Sequence, residues 1–414
     1  MLGARDPARM ESAVFAIFGL VYLGMILGGL PGLALDRTGI ALLGAIALVA
    51  LGVLTPQEAW AAIDVTTIAL LFGIMVLSAC LHESGFYAAV TRRIGALDTS
   101  PPRLLGAVIA VAGVLSAVLV NDIVCLAMAP LVVEICVRRK LDPVPFLLGL
   151  AAGSNVGSAA TLIGNPQNML IGQRLHLDFG RYLVDALVPS VLGLVATHAI
   201  LVWSVRGRWQ RDLPACAEEA RTFDRAATIK ALAAAAVLVV LFLVAPWPRE
   251  VLALGAAGLL LVSRRTHSRA LLARVDGQLL VLFIGLFVVN HALQGTGRVE
   301  EGVAWLARHG VDLGAPHTLF LVCVPLANAV SNVPAVMLLL PHAQHPQAGA
   351  ILALASTFAG NLLLVGSIAN LIVVDQAARQ GVRITWREHA RVGVPVTFVT
   401  LAIAALWLWL RAGA

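Results

Sequence analysis

The chain alternates long apolar runs with short polar connections, and two of the runs depart from that pattern in the same way. Stretches near 13–30, 38–54, 64–81, 146–170, 182–203, 229–245, 250–263, 276–293, 348–374 and 391–410 read as crossings by the measure of roughly 17 to 25 apolar residues per membrane helix. Two more, 104–137 and 316–340, carry polar residues at their centres. The first (Ser116 to Pro130, SAVLVNDIVCLAMAP) sets Asn121 and Asp122 among apolar neighbours, and Gly164-Asn165-Pro166-Gln167-Asn168 follows. The second (Ala327 to Pro341, ANAVSNVPAVMLLLP) does the same with Ser331 and Asn332, followed by Gly366-Ser367-Ile368-Ala369-Asn370. Hydrocarbon holds no water to satisfy freed backbone groups, so interrupted apolar segments survive only where they line a protein-enclosed cavity. Matched pairs of them mark the binding site of a transporter.

The 104–137 run is too long for one ordinary crossing. It predicts a re-entrant hairpin that enters from the cytoplasm, turns at Val120 to Ile123 and returns to Arg138. Ser331, Asn332, Val333 and Pro334 mark the turn of an equivalent hairpin entering from the other side. Asn amides offer an acceptor and two donors, turn carbonyls suit a hard cation such as sodium, and helix N-termini favour anions. The competing expectation is that Asn121 and Asn332 only cap the hairpin helices.

Gly164-Asn165-Pro166 predicts a break in the 146–172 helix, since proline removes a hydrogen bond and glycine frees the backbone to unwind. Gly366, Ser367 and Asn370 mark the corresponding break in 348–376, without a proline. Unwound carbonyls become ligands; a plain structural kink is the alternative. Asp122 is the acid set deepest in the first hairpin, and an intramembrane carboxylate is a functional candidate because its charge is costly there. It is the residue expected to carry a proton, the alternative being a neutral acid bonded to turn amides. Glu134 should pair with Arg138 one turn on. Asp375 reads as a helix-boundary residue, and His291 as a titrating group or, more simply, a structural histidine.

With 59% hydrophobic and 13% charged residues, the chain is an all-α polytopic membrane protein and not a soluble domain. The net charge of +6 does not call for nucleic acid, because the basic residues sit in short loops, as the positive-inside rule requires. Placing Arg92/Arg93/Arg103, Arg138/Arg139/Lys140, Arg206 to Lys230, Arg264 to Arg274 and Arg379 to Arg391 in the cytoplasm gives about ten crossings plus two hairpins, with both termini, and so Arg5 and Arg9, outside. Cys80, Cys125, Cys136, Cys216 and Cys323 form no C-x-x-C pair and read as small buried hydrophobes. The first span lacks a cleavage signature and is expected to be retained.

Aligning Asp64 with Asp276 sets Gly73 opposite Gly285, Gly85 opposite Gly297, Asn121 opposite Asn332, and Gly164/Asn168 opposite Gly366/Asn370. The charge rule gives the two copies opposite orientation, so the fold is expected to contain two inverted repeats, each with a re-entrant hairpin and a broken helix. The expected organisation is helices in 1–63, repeat one over 64–203 with its hairpin at 104–137, a cytoplasmic linker at 204–230, further scaffold helices in 231–275, and repeat two over 276–414 with its hairpin at 316–340. Gly85 to Gly95 and Gly297 to Gly310 have the spacing of interfacial amphipathic helices. The copies are unequal: Asp122 faces Val333, Ser116 faces Ala327 and Pro166 faces Ile368. The first should therefore carry most of the coupling chemistry.

These paired motifs, over roughly 64–172 and 276–376, resemble the ion transporter superfamily of sodium/dicarboxylate symporters, citrate transporters, arsenite efflux pumps and the melanosomal P protein. The segment GSNVGSAATLIGNPQNMLIG, Gly153 to Gly172, is most similar to bacterial anion permeases of the arsenical-pump type. The resemblance implies an all-helical homodimer in which a scaffold anchors an elevator-like domain of two hairpins and two broken helices. The dicarboxylate branch carries Ser-Asn-Thr at each turn; here Val120-Asn121-Asp122 and Ser331-Asn332-Val333 stand there, so both asparagines carry over while the first serine and both threonines do not. That branch also has a sodium-coordinating Ser or Thr five residues before each Asn, matched by Ser116 and not by Ala327. A sodium ion at Ser116, Asn121 and Gly164 is thus implied. The Asn-Asp pair is more like the arsenite-pump and P-protein branches, which implies proton coupling.

The expected function is secondary transport of a small anion or oxyanion across a bacterial inner membrane, driven by protons or sodium, with Asn121, Asp122, Ser116, Gly164, Asn165, Asn168, Ser331, Asn332, Gly366, Ser367 and Asn370 around the substrate. Arsenite efflux, sodium-coupled di- or tricarboxylate symport and sodium/proton antiport are the alternatives. No other cofactor is expected. An intramembrane enzyme would need a set such as HExxH or GxSxG, and neither occurs. A passive channel fits less well with inverted pairs of broken helices.

Overall fold

The computed structural model describes residues 7–29, 33–211, 223–263 and 267–412. Arg5, Cys216, Arg264, Arg265 and residues 212–222 of the 204–230 linker lie outside these residues. Two isolated bridges, Gly29 with Asp36 and Leu141 with Gln210, are the sole extended pairings among the described residues; the rest of the regular structure is helix.

One order of helices occurs twice. α1 (Pro7–Leu27), α2 (Arg37–Ala50) and the short α3 (Pro56–Ala61) lead into α4 (Val65–Glu83) and the amphipathic α5 (Phe86–Gly95). α6 (Pro101–Val118) and α7 (Asn121–Arg138) make the first hairpin, α8 (Pro143–Ser158) and α9 (Pro166–Arg174) the first broken helix, and α10 (Phe179–Val205) closes the series. α11 (Arg225–Val244), α12 (Arg249–Leu261), α13 (Ser268–Leu272), α14 (Gly277–Gln294) and α15 (Arg298–Arg308) start it again. α16 (Pro316–Val330) with α17 (Asn332–Leu339), α18 (Ala348–Ala359) with α19 (Ile368–Arg379), and α20 (Trp386–Ala412) complete it. The repetition therefore reaches further than the aligned motifs do, since α1–α3 have counterparts in α11–α13. Seven helices, α1, α4, α6, α10, α11, α14 and α20, are long and apolar enough to cross a membrane.

Aligned sequence marks have matching local roles. Asp64 and Asp276 each cap the helix that follows, accepting from Thr67 N at 3.0 Å and Leu279 N at 2.9 Å. Gly85 and Gly297 take φ of +76° and +71°, which lets the chain turn sharply out of α4 and α14. Gly73 and Gly285 explain the packing of the frame. α4 lies on α12 of the other half and α14 lies on α2. A Cβ at Gly73 would stand 2.7 Å from the carbonyl carbon of Ala253, and one at Gly285 2.7 Å from that of Ala41. Glycine at these points lets backbones touch, the usual way membrane helices gain dispersion contact.

Ion pairs give each helix its direction. α4 starts beside Arg174, which pairs with Asp64 at 2.7 Å, and ends beside Arg274, which pairs with Glu83 at 2.7 Å. α14 starts after Arg274 and so runs antiparallel to α4; beyond its far end Arg298 pairs with Glu11 at the start of α1. On the Glu83 face, Arg139 donates to the carbonyls of Leu97 and Thr99 at 3.0 and 2.6 Å. Arg208, Arg211, Glu388 and Arg391 share a cavity of about 320 Å³ there. The described basic connections thus gather at one face. The start of α1 and the end of α20, where Arg411 pairs with Asp185 at 2.7 Å, lie at the other. The first hairpin opens toward the basic face and the second away from it.

Candidate functional site

Both hairpin tips and both breaks meet in one buried polar cluster. At the first tip, Asn121 N donates to the Gly164 carbonyl at 3.2 Å and Asn121 Nδ2 to Asn155 Oδ1 at 3.4 Å. Ser154 Oγ donates to the Asn121 carbonyl at 3.2 Å and shares a 2.8 Å bond with Ser116 Oγ. At the second tip, the Asn332 amide, oriented to satisfy its bonds, donates to the carbonyls of Ser356 at 3.0 Å and Gly366 at 3.3 Å. Ser154 and Gly164 are the repeat counterparts of Ser356 and Gly366, so each hairpin hangs on the same two points of its own broken helix.

Across the halves, Asn155 Nδ2 donates to Asn361 Oδ1 at 2.9 Å and Asn370 Oδ1 at 3.1 Å, while Asn155 Oδ1 accepts from Ser367 Oγ at 2.9 Å. The reciprocal contact is made by Asn165 Nδ2 and Gln167 Nε2, which donate to Thr357 Oγ1 at 3.3 and 3.2 Å. Inside hydrocarbon such bonds replace the water that unwound helices would otherwise need.

Capping does not account for the tip asparagines. The cap positions are Val120 and Ser331, neither with a side-chain cap bond, and Asn121 and Asn332 are the first helical residues. Asn165 is different, because its Oδ1 caps α9 by accepting from Asn168 N at 2.9 Å. Asn168 and Asn370 brace the breaks, donating to the carbonyls of Thr161 at 3.0 Å and Leu363 at 3.3 Å, seven residues earlier in each case. Asn168 Nδ2 also meets Tyr182 Oη at 3.0 Å, which draws it toward α10 and away from Asn155.

Ser116, Asn121 and Gly164 converge. A Cβ at Gly164 would stand 2.6 Å from the Ser116 carbonyl oxygen and would collide with that of Ser158, so glycine is what lets these carbonyls approach. Asn121 Oδ1 is buried without a hydrogen-bond donor. This set of neutral oxygens has the chemistry that sodium accepts.

Asp122 lies in the first turn of α7, 8% exposed, and among the described residues its carboxylate has no ion-pair partner. Glu134 is paired with Arg138 at 3.0 Å and Asp375 with Arg379 at 2.9 Å, both one turn on. His291 borders a separate cavity of about 650 Å³ at the face opposite the basic loops. Asn290, Met337 and the Arg174–Asp64 pair also line that cavity.

Ser331 has φ +77° and ψ 159°, a region that side chains avoid at a cost of about 1–3 kcal/mol. Ser331→Gly is expected to raise stability by about 1 kcal/mol in thermal melts. A lower melting temperature would show that the hydroxyl is worth more than the strain.

Sequence reading missed Ser154, Asn155, Ser356, Thr357 and Asn361. A signal for two of them was present, since Asn155 and Thr357 each stand nine residues before the glycine of their break.

The model of the citrate transporter family matches residues 20–359. An uncharacterised transporter of Mycobacterium tuberculosis is 32% identical over 91% of this chain and 94% of its own length. The silicon efflux transporter LSI3 of Oryza sativa subsp. japonica is 27% identical over 93% of this chain and 95% of its own. In fold, the chain is similar to the Alcanivorax borkumensis YdaH transporter, with a TM-score of 0.56 at 16% identity over 98% of both chains. Neisseria gonorrhoeae MtrF aligns with a TM-score of 0.52 at 13% identity over 98% of this chain and 95% of its own. A multi-pass chain of opposed hairpins and broken helices, matched by these relatives over nearly its whole length, is a membrane transporter and belongs to the citrate transporter family.

Proposed function

We propose that the protein is a secondary active transporter of a small anion or oxyanion, driven by a proton or sodium gradient and working by elevator-type alternating access. The observation that carries this reading is the cluster in which opposed hairpin tips and breaks close on one another through amides and hydroxyls. Amide N–H groups and the N-termini of α7, α9, α17 and α19 suit the oxygens of an anion. The oxygens of Ser116, Asn121 and Gly164 suit the sodium that would travel with it. Family membership makes citrate the first substrate to test. The assembly that goes with this reading is a homodimer in a bacterial inner membrane.

An offset between the halves supports the elevator. Ser78 of α4 accepts from Val120 N at 3.3 Å, at the tip of the first hairpin. Its counterpart in α14, Asn290, donates instead to Met337 Sδ at 3.7 Å, six residues beyond the equivalent tip residue Ser331. Exchanging these contacts between halves would set Asn290 at Ser331 and Ser78 at Leu126. At 1.5 Å per residue the travel is about 9 Å.

Counterflow in proteoliposomes with labelled citrate, succinate, phosphate, sulfate and arsenite tests the reading. At least one is expected to exchange, and silence from all five would sink it. Asp122→Asn is expected to keep exchange and to abolish accumulation driven by a proton gradient. Sodium-driven accumulation that survives this change would put the coupling at Ser116, Asn121 and Gly164 instead.

A further inference from the structure

We propose that His389 is the proton site through which pH at the basic face reaches the binding cluster. The inference rests on the transport reading above and deepens it. His389 lies one turn into α20, 6% exposed. Its Nε2 stands 3.1 Å from the backbone carbonyl of Asn361, inside the second break. A carbonyl can only accept, so Nε2 carries a hydrogen at every pH and Nδ1 is the atom that gains and loses a proton. Gly393, one turn on, leaves room for the ring, since a Cβ there would stand 3.0 Å from Nε2.

Two further observations give the site an entrance and an output. The 320 Å³ cavity at the basic face is bordered by Leu148 and Val392, and the same two residues border a cavity of about 10 Å³ lined by Asn361, Asn370 and His389. That volume is about the size of one water. Asn361 Nδ2 is buried without an acceptor and supplies a donor for it. On the output side, Asn361 Oδ1 accepts from Asn155 Nδ2 at 2.9 Å, and Asn155 Oδ1 accepts from Asn121 Nδ2 at 3.4 Å. The relay therefore runs from the imidazole through three amides to the tip of the first hairpin.

The charged groups of the entrance are Arg208 and Arg211 beyond α10, Asp142 at the cap of α8, and Glu388 and Arg391 on the helix of His389 itself, where Arg387 is also exposed. α8, α18 and residues 360–367 contribute no titratable side chain. His198 of α10 is turned to the Pro102 carbonyl at 2.9 Å. A proton arriving from the basic face binds Nδ1 and turns the Nε2–H bond to Asn361 into a charge-assisted one, roughly twice as strong. The second break stiffens at low pH and loosens when the proton leaves.

Hydrogen exchange of the 360–367 amides in the full-length protein in nanodiscs, corrected for intrinsic pH dependence, tests this without any substrate. Between pH of about 8 and about 5.5, which brackets the histidine range, wild-type exchange is expected to slow about tenfold, the factor of one pKa unit. His389→Gln keeps an N–H for the Asn361 carbonyl and should give a flat profile, while Asp122→Asn should titrate as the wild type does. A flat wild-type profile, or wild-type titration in His389→Gln, overturns the proposal. Should His389→Gln not fold, nitrogen-labelled histidine spectra of the wild type decide: one imidazole must hold the Nε2–H tautomer at high pH and gain a proton at Nδ1 as pH falls. Titration at the break in a protein that moves none of the five solutes would leave this inference standing and sink the transport reading.

Discussion

Asn155→Leu is expected to abolish counterflow and to lower stability by about 2–5 kcal/mol, read as melting in detergent and as exchange of labelled solute. The size follows from what the substitution leaves behind. Asn361 Oδ1, Asn370 Oδ1 and Ser367 Oγ each lose a bond of 2.9 to 3.1 Å to Asn155, and a buried polar group left unpaired costs about 1–3 kcal/mol. The costs overlap because the groups share one network. Leucine fills the volume, so a cavity is not the cause. Asn155→Asp separates the two halves of the role: it keeps the acceptor for Ser367 and loses the donor to Asn361 and Asn370. Wild-type melting and wild-type flux in Asn155→Leu would show that the two broken helices do not depend on each other.

Gly157→Val is the second large effect, and it acts on the wall of the cluster. Gly149, Gly153 and Gly157 form one stripe on α8, facing Leu105, Ile109 and Gly113 of α6. A Cβ at Gly157 would fall on the backbone of Gly113, and one at Gly153 would stand 3.1 Å from the Ile109 carbonyl oxygen. Neither backbone has room to yield. Separating the helices costs contacts along their whole length, and overpacking of this kind is worth about 1–3 kcal/mol or more. The expected outcome is loss of most folded protein in detergent, seen as a collapse of the monodisperse fraction. Gly258→Ala is the control: an added Cβ meets nothing within 4 Å there, and a gain of up to about 1 kcal/mol is expected. Equal behaviour of the two variants would refute close packing of α8 on α6.

The spans, the hairpins and the breaks could be read from sequence because the bilayer penalises polar and flexible residues strongly enough to leave marks. Asn121, Asn332 and Gly164 stand out against apolar surroundings for that reason. Asn155 and Thr357 did not stand out, since each lies in the regular helical stretch ahead of its break, where a polar residue is ambiguous until its neighbours across the repeat are known. The roles of Asn165 and Asn168 were only half visible. Both belong to the break, yet one caps α9 and the other braces the loop, and these tasks differ in geometry and not in residue type. The counterparts of α1–α3 in α11–α13 were hidden because apolar helices share composition without sharing identifiable positions. The pairing of α4 with α12 was hidden too. It depends on Gly73 meeting Ala253, and no pattern within either helix names its partner.

The crossed packing of α4 on α12 and of α14 on α2 bears on biogenesis. When α4 leaves the ribosome, the backbone it must grip at Ala253 has yet to be made; about 180 residues separate Gly73 from Ala253, which at 5–20 residues per second is a wait of roughly ten to forty seconds. Through that interval the groove at Gly73 is open to lipid or to the insertion machinery, and α2 waits likewise for α14. The first half is therefore an unfinished object until the second arrives, and the chain closes its frame as a clasp closes, in a late step that joins both halves together.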